Sequence, residues 1–323
     1  MLRRLFKWVL LGVGGLLIVV LAVVAIAYLN YLSWRADRLE TLESGSQVAD
    51  TEMGEIEYVL KGERGPILLY VHSSPGGYDS APAAGRNFRV LAPSRPGYLR
   101  TSLDVGRTPS EQARAYAALL DALAVREPVL VMAVSGGGPS GIAFAAMYPE
   151  RTAGLLAIEA VSQSKTAEGG LPGFMQSDFA VWAMFGAIQR LQGDAGLVSM
   201  VIPDPANQRL ILNDPEKVEL FVPLIWSLWP VSHRIKGWQN DIQQFEQLAL
   251  PSAEIRVPTL IVHGTKDVNV PIAHSEDLAG RVPGAQLYVV EGGDHMMPLT
   301  HREEVNGAID DFLRRHGLTE FLD

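Results

Sequence analysis

The chain has 323 residues, of which 48% are hydrophobic and 20% are charged, and this length suffices for one large core with an inserted segment. A net charge of −9, without a basic stripe, argues against a nucleic-acid partner. The sequence has no cysteine, metal-spaced cluster, phosphate-binding loop or internal repeat, so we expect no disulfide, no metal and no cofactor.

The N-terminal segment is typical of a membrane span. No residue from position 8 to position 29 is charged, and about 20 apolar residues cross a bilayer as a helix. Positive charges precede this run at Arg3, Arg4 and Lys7. This bias predicts that residues 1–32 are a retained anchor with a cytoplasmic N terminus and an exported remainder. Three aromatic residues are expected to form a belt at the far interface: Tyr28, Tyr31 and Trp34.

A cleaved signal peptide is the alternative to an anchor. Ala25, Ile26 and Ala27 form an acceptable cleavage site, and cleavage near Ala27 would release a secreted protein. The apolar run is longer than that of a typical cleaved signal, which favours the anchor. Residues 33–50 are expected to be a polar tether or a short helix that leads to the first strand, around residues 55–60.

Beyond the tether, strands and helices alternate. Apolar runs predict strands at residues 67–71, 88–92, 129–134, 155–158, 259–263 and 287–290. Helical spacing predicts helices over residues 110–123, with Ser110 as the N-cap, and over residues 302–316. From about position 162 to position 252 the alternation stops, and apolar helical runs are separated by prolines. The pattern predicts an α/β fold with a helical insertion.

Residues 129–141, VLVMAVSGGGPSG, combine a strand, a sharp turn and the start of a helix. Ser135 lies at the turn, with Ala133 before it and three glycines directly after it. Small neighbours allow the strained backbone of such a turn, and the helix behind it offers free N–H groups. We therefore predict a nucleophile elbow at Ser135, with Ala133 in place of the usual first glycine. A tight turn that merely contains a serine is the alternative.

Two more polar residues directly follow predicted strands. Asp267 lies in the loop after residues 259–263, and His295 lies in the loop after residues 287–290. Catalytic groups of open α/β sheets gather at the carboxyl ends of strands, and the chain order Ser, Asp, His is that of an α/β catalytic triad. We therefore predict a triad of Ser135, Asp267 and His295. Glu159, at the end of the strand at 155–158, is the alternative acid.

An oxyanion hole is expected upstream of the elbow. Residues 72–77, HSSPGG, form a turn after the strand at 67–71. A backbone N–H of this turn, assigned to Ser74, can join the N–H of Gly136 in holding a negative oxygen. His72 is expected to brace the turn rather than to take part in the chemistry.

Taken together, these motifs resemble the α/β-hydrolase family from about residue 50 to the end. The matching segments are HSSPGG at 72–77, PSRPGY at 93–98, AVSGG at 133–137, HGTKD at 263–267 and GDH at 293–295. The turn and the elbow are most similar to those of prolyl iminopeptidases and small-molecule esterases. The resemblance implies that Ser135 is the nucleophile, His295 the general base and Asp267 its partner. It also implies a mostly parallel sheet and a helical cap at 162–252 between two core parts, at 51–161 and 253–323.

The sequence favours a carboxylesterase or a lipase-like hydrolase with a small hydrophobic ester or amide substrate. Four of the six tryptophans lie in the expected cap, and small-molecule sites are mostly apolar: Trp182, Trp226, Trp229 and Trp238. A prolyl iminopeptidase would need an acid for the α-amino group. The candidates, each expected to be a solvated cap residue, are Glu168, Asp178, Asp194, Asp204 and Asp241. A non-catalytic membrane-anchored binding protein on the same fold, or another reaction of the same triad such as carbon–carbon hydrolysis, are the remaining alternatives.

Overall fold

The computed structural model of the protein describes residues 2–164 and 173–322. The strands are β1 (Gln47–Thr51), β2 (Gly54–Lys61), β3 (Ile67–Val71), β4 (Arg89–Pro93), β5 (Val129–Val134), β6 (Thr152–Ile158), β7 (Thr259–Gly264) and β8 (Gln286–Val290). Within the described residues they form one sheet in the order β1-β2-β4-β3-β5-β6-β7-β8. All neighbouring pairs from β4 to β8 in this order are parallel. At one edge of the sheet, β2 pairs antiparallel with β4 and with β1.

The central strands are buried on both faces, which explains their unbroken apolar sequence. All five residues of β3 and all six of β7 are buried. Because β5, β7 and β8 run in the same direction, the loops that follow them lie at the same edge of the sheet. The predicted site residues Ser135, Asp267 and His295 follow these three strands.

Helices cover both faces of the sheet, and the predicted α/β fold is confirmed. In chain order they are α1 (Leu2–Ser44), α2 (Pro109–Ala122), α3 (Gly138–Met147), α4 (Asp178–Gln192), α5 (Asp194–Val201), α6 (Pro205–Leu212), α7 (Pro215–Trp226), α8 (Ile235–Glu246), α9 (Ala273–Arg281), α10 (Met297–Thr300) and α11 (Arg302–Arg315). Helices α2, α3 and α9 pack on one face, and α11 packs on the other.

One predicted helix start is wrong. Helix α2 begins at Pro109, and its N-cap is Thr108 rather than Ser110. The Thr108 side chain accepts a hydrogen bond from the Glu111 N–H, and the Glu111 carboxylate accepts one from the Thr108 N–H. This reciprocal capping box satisfies two N–H groups at once, which a cap at Ser110 would not do.

Helices α4 to α8 lie between β6 and β7 in the chain, and we refer to them as the cap. Helices α4 to α7 share an apolar cluster, which includes Phe185, Leu197, Phe221 and Ile225, and Trp229 and, from α1, Tyr31 join it. The cap therefore has its own small core beside the sheet.

The N-terminal helix is longer than expected. Helix α1 continues without a break to Ser44, so residues 33–44 are helical, and only two residues separate Ser44 from the start of β1 at Gln47. Its segment Phe6–Ser44 contains an exposed apolar stretch that is long enough to cross a membrane. Tyr31 is only 5% exposed, because it packs among cap residues, and it does not face outward in an aromatic belt.

Candidate active site

The backbone around Ser135 forms the sharp turn that its small neighbouring residues allow. Ser135 follows β5 directly, is 7% exposed and has a φ of 50°, a region that non-glycine residues rarely occupy. A Cβ on Gly137 would lie 2.6 Å from the backbone oxygen of His72, so only glycine allows this close approach. Gly141 of α3 packs against Ala133, which is why a residue larger than alanine would not fit before the serine.

The three predicted triad residues meet at the carboxyl edge of the sheet. His295 Nε2 lies 3.0 Å from Ser135 Oγ, and His295 Nδ1 lies 2.7 Å from Asp267 Oδ2. A carboxylate only accepts hydrogen bonds, so Nδ1 carries the proton and Nε2 is free to accept from the serine hydroxyl. This arrangement allows His295 to withdraw the proton from Ser135.

Asp267 is held as an ionised acceptor. Its Oδ1 accepts from the N–H groups of Asn269 and Val270, at 2.8 and 2.9 Å, which leaves Oδ2 for His295. Burial alone would raise the pKa of Asp267, but hydrogen bonds to His263 and His295 lower that pKa well below its usual range. The carboxylate is therefore charged at any pH at which the protein is folded and active.

A second carboxyl group approaches the same histidine. Glu159 Oε2 lies 3.4 Å from His295 Nδ1, and Glu159 is fully buried, with a φ of 50° just after β6. Its Oε1 is buried without a hydrogen-bond partner among the described residues. Burial, followed by the charges of Asp267 and Asp294, raises the pKa of Glu159 well above its usual range. Asp267 is thus the ionised partner of His295.

These groups also have the spacing of a cation site. The ligand atoms of Glu159, Asp267 and His295 lie within 4.8 Å of one another. A metal would need His295 Nδ1 without its proton, whereas the short contact with Asp267 requires that proton. We therefore assign these residues to proton transfer.

The two backbone groups predicted for the oxyanion hole are neighbours. A Cβ on Gly136 would lie 3.1 Å from Ser74 N and would overlap the Ser74 side chain, so the turn after β3 passes directly over the elbow. His72 is buried behind that turn, with Nδ1 2.8 Å from the Ser73 oxygen and Nε2 2.9 Å from the Arg95 N–H. Burial and the charge of Arg95 lower the pKa of His72 well below its usual range. His72 is a neutral structural brace, as expected.

Behind Ser74 lies a buried ion pair that the sequence analysis missed. Arg95, after β4, donates to both oxygens of Asp241 in cap helix α8, at 2.6 and 3.0 Å. The Ser74 hydroxyl joins this pair, since it accepts from Arg95 at 2.7 Å and donates to Asp241. Tyr98 donates a further hydrogen bond to Asp241. We call Ser74, Arg95, Tyr98 and Asp241 the cap latch.

The expectation that Asp241 is a solvated cap residue is therefore wrong. Its side chain is 4% exposed, and that of Arg95 is 1% exposed, because helix α8 lies against the loops of the core. The neighbouring carboxylate outweighs the effect of burial and raises the pKa of the Arg95 guanidinium. No local sequence pattern connects the two residues, which are 146 positions apart.

A second ion pair fastens the start of α8. Arg234, the residue before this helix, is buried and donates to both carboxylate oxygens of Asp79, at 3.1 and 2.8 Å. It also donates to the backbone oxygen of Gly76, in the same turn as Ser74. Ser74 and Gly76 of the turn at residues 72–77 are thus bonded to Asp241 of α8 and to Arg234, the residue before α8.

The other acids proposed for an amino group have partners as well. Asp178 accepts from Ser232, Asp194 accepts from Gln189, and Asp204 accepts from Lys266 and the Ala206 N–H. Glu168 lies outside the described residues. Each described candidate is already used in a capping or pairing interaction.

A serine on a strained strand-to-helix turn, linked to a histidine and a carboxylate at the carboxyl edge of a mostly parallel sheet, defines the α/β-hydrolase class. The model of the alpha/beta hydrolase family matches residues 68–308, and the chain belongs to that family. It is 39% identical over 271 residues to the uncharacterized hydrolase YcgS of Bacillus subtilis, which covers 79% of this chain and 93% of that protein.

Two further similarities extend over most of the chain. An alpha/beta hydrolase fold protein from Nakamurella multipartita superposes with a TM-score of 0.74 at 30% identity, covering 85% of this chain and 99% of the other. The 2-hydroxymuconate semialdehyde hydrolase of Pseudomonas putida is 26% identical over 272 residues, covering 78% of this chain and 88% of that enzyme. This chain is therefore a hydrolase by family.

Proposed function

We propose that the protein is a serine hydrolase that cleaves hydrophobic carboxylic esters through an acyl-enzyme. The observation that carries this proposal is the continuous hydrogen-bonded line from Asp267 through His295 to Ser135. It ends at a serine beside two backbone N–H groups, of Ser74 and Gly136, that can bind an oxyanion. The apolar, tryptophan-rich cap supports an apolar acyl group.

The proposed reaction has two halves. In the first, His295 Nε2 takes the proton of Ser135 Oγ as this oxygen attacks the ester carbonyl, and the N–H groups of Ser74 and Gly136 hold the negative oxygen. Asp267 stabilises the imidazolium, which then protonates the departing alcohol. In the second half, His295 deprotonates a water, which attacks the acyl-enzyme and releases the acid and free Ser135.

Labelling with a fluorophosphonate probe tests the proposal directly, because such a probe reacts only with an activated serine. The full chain in detergent is expected to be labelled, and Ser135→Ala is expected to remain unlabelled. Ser140→Ala is the matched control, since Ser140 is a buried serine five positions away that pairs with Tyr116. Absence of labelling in folded wild-type protein would overturn the proposal and favour a binding protein on this fold.

Ester chain length and leaving group then define the substrate class. Nitrophenyl esters of increasing acyl length are expected to be cleaved, and prolyl amides are expected to be poor substrates. The expectation for the amides rests on the four described candidate acids, which are engaged by protein groups: Asp178, Asp194, Asp204 and Asp241. Faster turnover of a prolyl amide than of every ester would favour the iminopeptidase alternative. The semialdehyde named for the Pseudomonas putida relative belongs in the same panel.

We further propose that α1 is a retained anchor with a cytoplasmic N terminus. The long apolar stretch and the positive residues before it, Arg3, Arg4 and Lys7, support this topology. The catalytic domain would then be periplasmic or extracellular. A protein recovered in the membrane fraction with an intact N terminus is the expected result, whereas a mature N terminus near Tyr28 would support a cleaved signal.

A further inference from the structure

The end of the anchor helix is packed against the cap. The ring centroid of Tyr28 lies 5.3 Å from that of Phe179, and Tyr31 lies 5.3 and 5.4 Å from Phe179 and Trp182. One turn later, the Trp34 ring lies 6.2 Å from Trp182. Helix α1 and the cap are therefore joined by contacting side chains and not by a flexible linker.

The order of these contacts gives the direction of the cap helix. As α1 advances from Tyr28 to Trp34, its contacts on α4 advance from Phe179 to Trp182, so the two helices run side by side in the same direction. The 22 residues at positions 8–29 span about 33 Å at 1.5 Å per residue, the thickness of a bilayer's hydrocarbon core. With this stretch in a membrane, the start of α4 lies at the level of the bilayer surface.

An exposed aromatic side chain lies directly before the start of α4. Phe174, in the short 3-10 turn Gly173–Gln176 that precedes α4, is 57% exposed. Its neighbour Met175 packs against the cap cluster. The headgroup boundary of a bilayer receives exposed aromatic side chains of this kind favourably.

The same apolar cluster reaches the proposed base. Met296 and Leu299, which follow His295, pack against the cluster that contains Tyr31 and Trp229. A continuous apolar contact therefore leads from the anchor helix to the residue beside His295.

We infer that the cap docks on the bilayer surface through the start of α4 and that the substrates are esters resident in the membrane. This inference rests on the proposed ester hydrolysis for its substrate class, but the docking itself depends only on α1 and the cap. Phe174 enters the interface, and the anchor sets the orientation of the cap. The partner is thus a lipid surface, and the substrate is one of its apolar components.

Docking can be tested without any assay of activity. The chain contains no cysteine, so Phe174→Cys and Leu191→Cys each provide a single attachment point for a polarity-sensitive dye. Leu191 is the matched control because it is 82% exposed and lies 12 residues beyond Phe179 on α4, about 18 Å farther along the helix from its start. In phosphatidylcholine vesicles the dye at position 174 is expected to shift to the blue, and that at position 191 is not. Equal spectra at both positions would overturn the docking.

Kinetics with two esters test the substrate class. Full-length protein in the same vesicles is offered a water-soluble short-chain nitrophenyl ester and a long-chain nitrophenyl ester dissolved in the bilayer. Phe174→Ser is expected to raise the apparent KM for the bilayer ester roughly 3- to 10-fold and to leave the soluble ester unchanged, while Leu191→Ser alters neither. Wild-type protein that cleaves only the soluble ester would overturn this inference and leave the proposed function standing. Cleavage of neither ester would overturn both.

Discussion

The two sides of Ser135 are supported by different parts of the molecule. On one side, His295 and Asp267 both belong to loops of the core sheet, and the His295 side chain remains 19% exposed. On the other side, Ser74 is held by Arg95 from the core and Asp241 from the cap, which are both almost completely buried. The proposed proton transfer therefore uses side chains of the core sheet, whereas the proposed oxyanion hole depends directly on a side chain of the cap. Changes in the cap can alter turnover without touching the three residues of the proposed triad.

The largest effect is expected at the residue that both sides share. Ser135→Ala removes the nucleophile and should lower kcat roughly 10⁴- to 10⁶-fold, on the pattern of triad knockouts. Steady-state turnover of a nitrophenyl ester measures this loss of kcat. Near-normal turnover in this variant would refute the assignment of the nucleophile.

On the core side, a second carboxyl group should limit the loss of turnover when Asp267 is replaced. Asp267→Asn removes the ionised partner of His295 and should lower kcat roughly 10²- to 10³-fold, less than the roughly 10⁴-fold expected of such a loss. The reason is that Glu159 lies 3.4 Å from His295 Nδ1 and ionises more easily once the charge of Asp267 is gone. The double variant Glu159→Gln with Asp267→Asn should lose roughly a further 10-fold. A double variant that is no slower than Asp267→Asn alone would show that Glu159 gives no support.

On the cap side, removal of the Asp241 charge should lower turnover although Asp241 does not contact the substrate. Asp241→Asn leaves Arg95 buried without a counterion and frees the Ser74 side chain, so we expect kcat to fall roughly 10- to 100-fold with little change in KM. The variant should also lose about 3–5 kcal/mol of stability. Kinetics well below its melting temperature separate the two effects.

Asp204→Asn provides the matched control for the latch. Asp204 also belongs to the cap region and pairs with a core residue, Lys266. This pair is partly exposed, and it makes no contact with the turn at residues 72–77 among the described interactions. Exposed ion pairs contribute little to stability because solvent screens them, so neither kcat nor stability should change much. Equal effects of Asp204→Asn and Asp241→Asn on kcat would remove the argument for a specific role of the latch.

The smallest effect concerns stability and its dependence on pH. Glu159 keeps its proton in the folded protein at pH values where the unfolded chain, with a pKa near 4.5, has released it. Stability contributed by this residue therefore falls as pH rises from about 4.5 toward the raised pKa of the folded state. Glu159→Gln has no proton to release, so its melting temperature should exceed that of wild type by a few degrees at pH 8, at about 2–4 °C per kcal/mol. The difference should shrink toward pH 5, and a constant difference at all pH values would contradict this account.

Much of the core side was predictable from the sequence because topology brings it together. Once β5, β7 and β8 are assigned to the parallel part of one α/β sheet, the residues after them must share one edge. The elbow was predictable too, since close backbone approaches at Gly136 and Gly137 demand small residues. Thr108 was missed although its signal was present, because Thr108 and Glu111 have the spacing of a capping box.

The cap side was not predictable, for a different physical reason. The pairing of Arg95 with Asp241 depends on where helix α8 lies on the core, and no periodicity within α8 encodes that position. An acid in a helical insertion is most often solvated, so composition points the wrong way. Tyr31 illustrates the same limit, since an aromatic residue at the end of a span predicts an interfacial position until a protein surface covers it.

Two ion pairs join the cap to the core at α8, and the cap supplies the cation in one pair and the anion in the other. Arg234 brings a cation from the cap to Asp79 of the core, and Asp241 brings an anion from the cap to Arg95 of the core. A cap transplanted from another family member must carry both charges at the correct separation along the helix, or it buries an unpaired ion at the graft. Chimaeras built on this chain should therefore exchange residues 234–246 together with residues 72–98, so that both charge pairs are preserved.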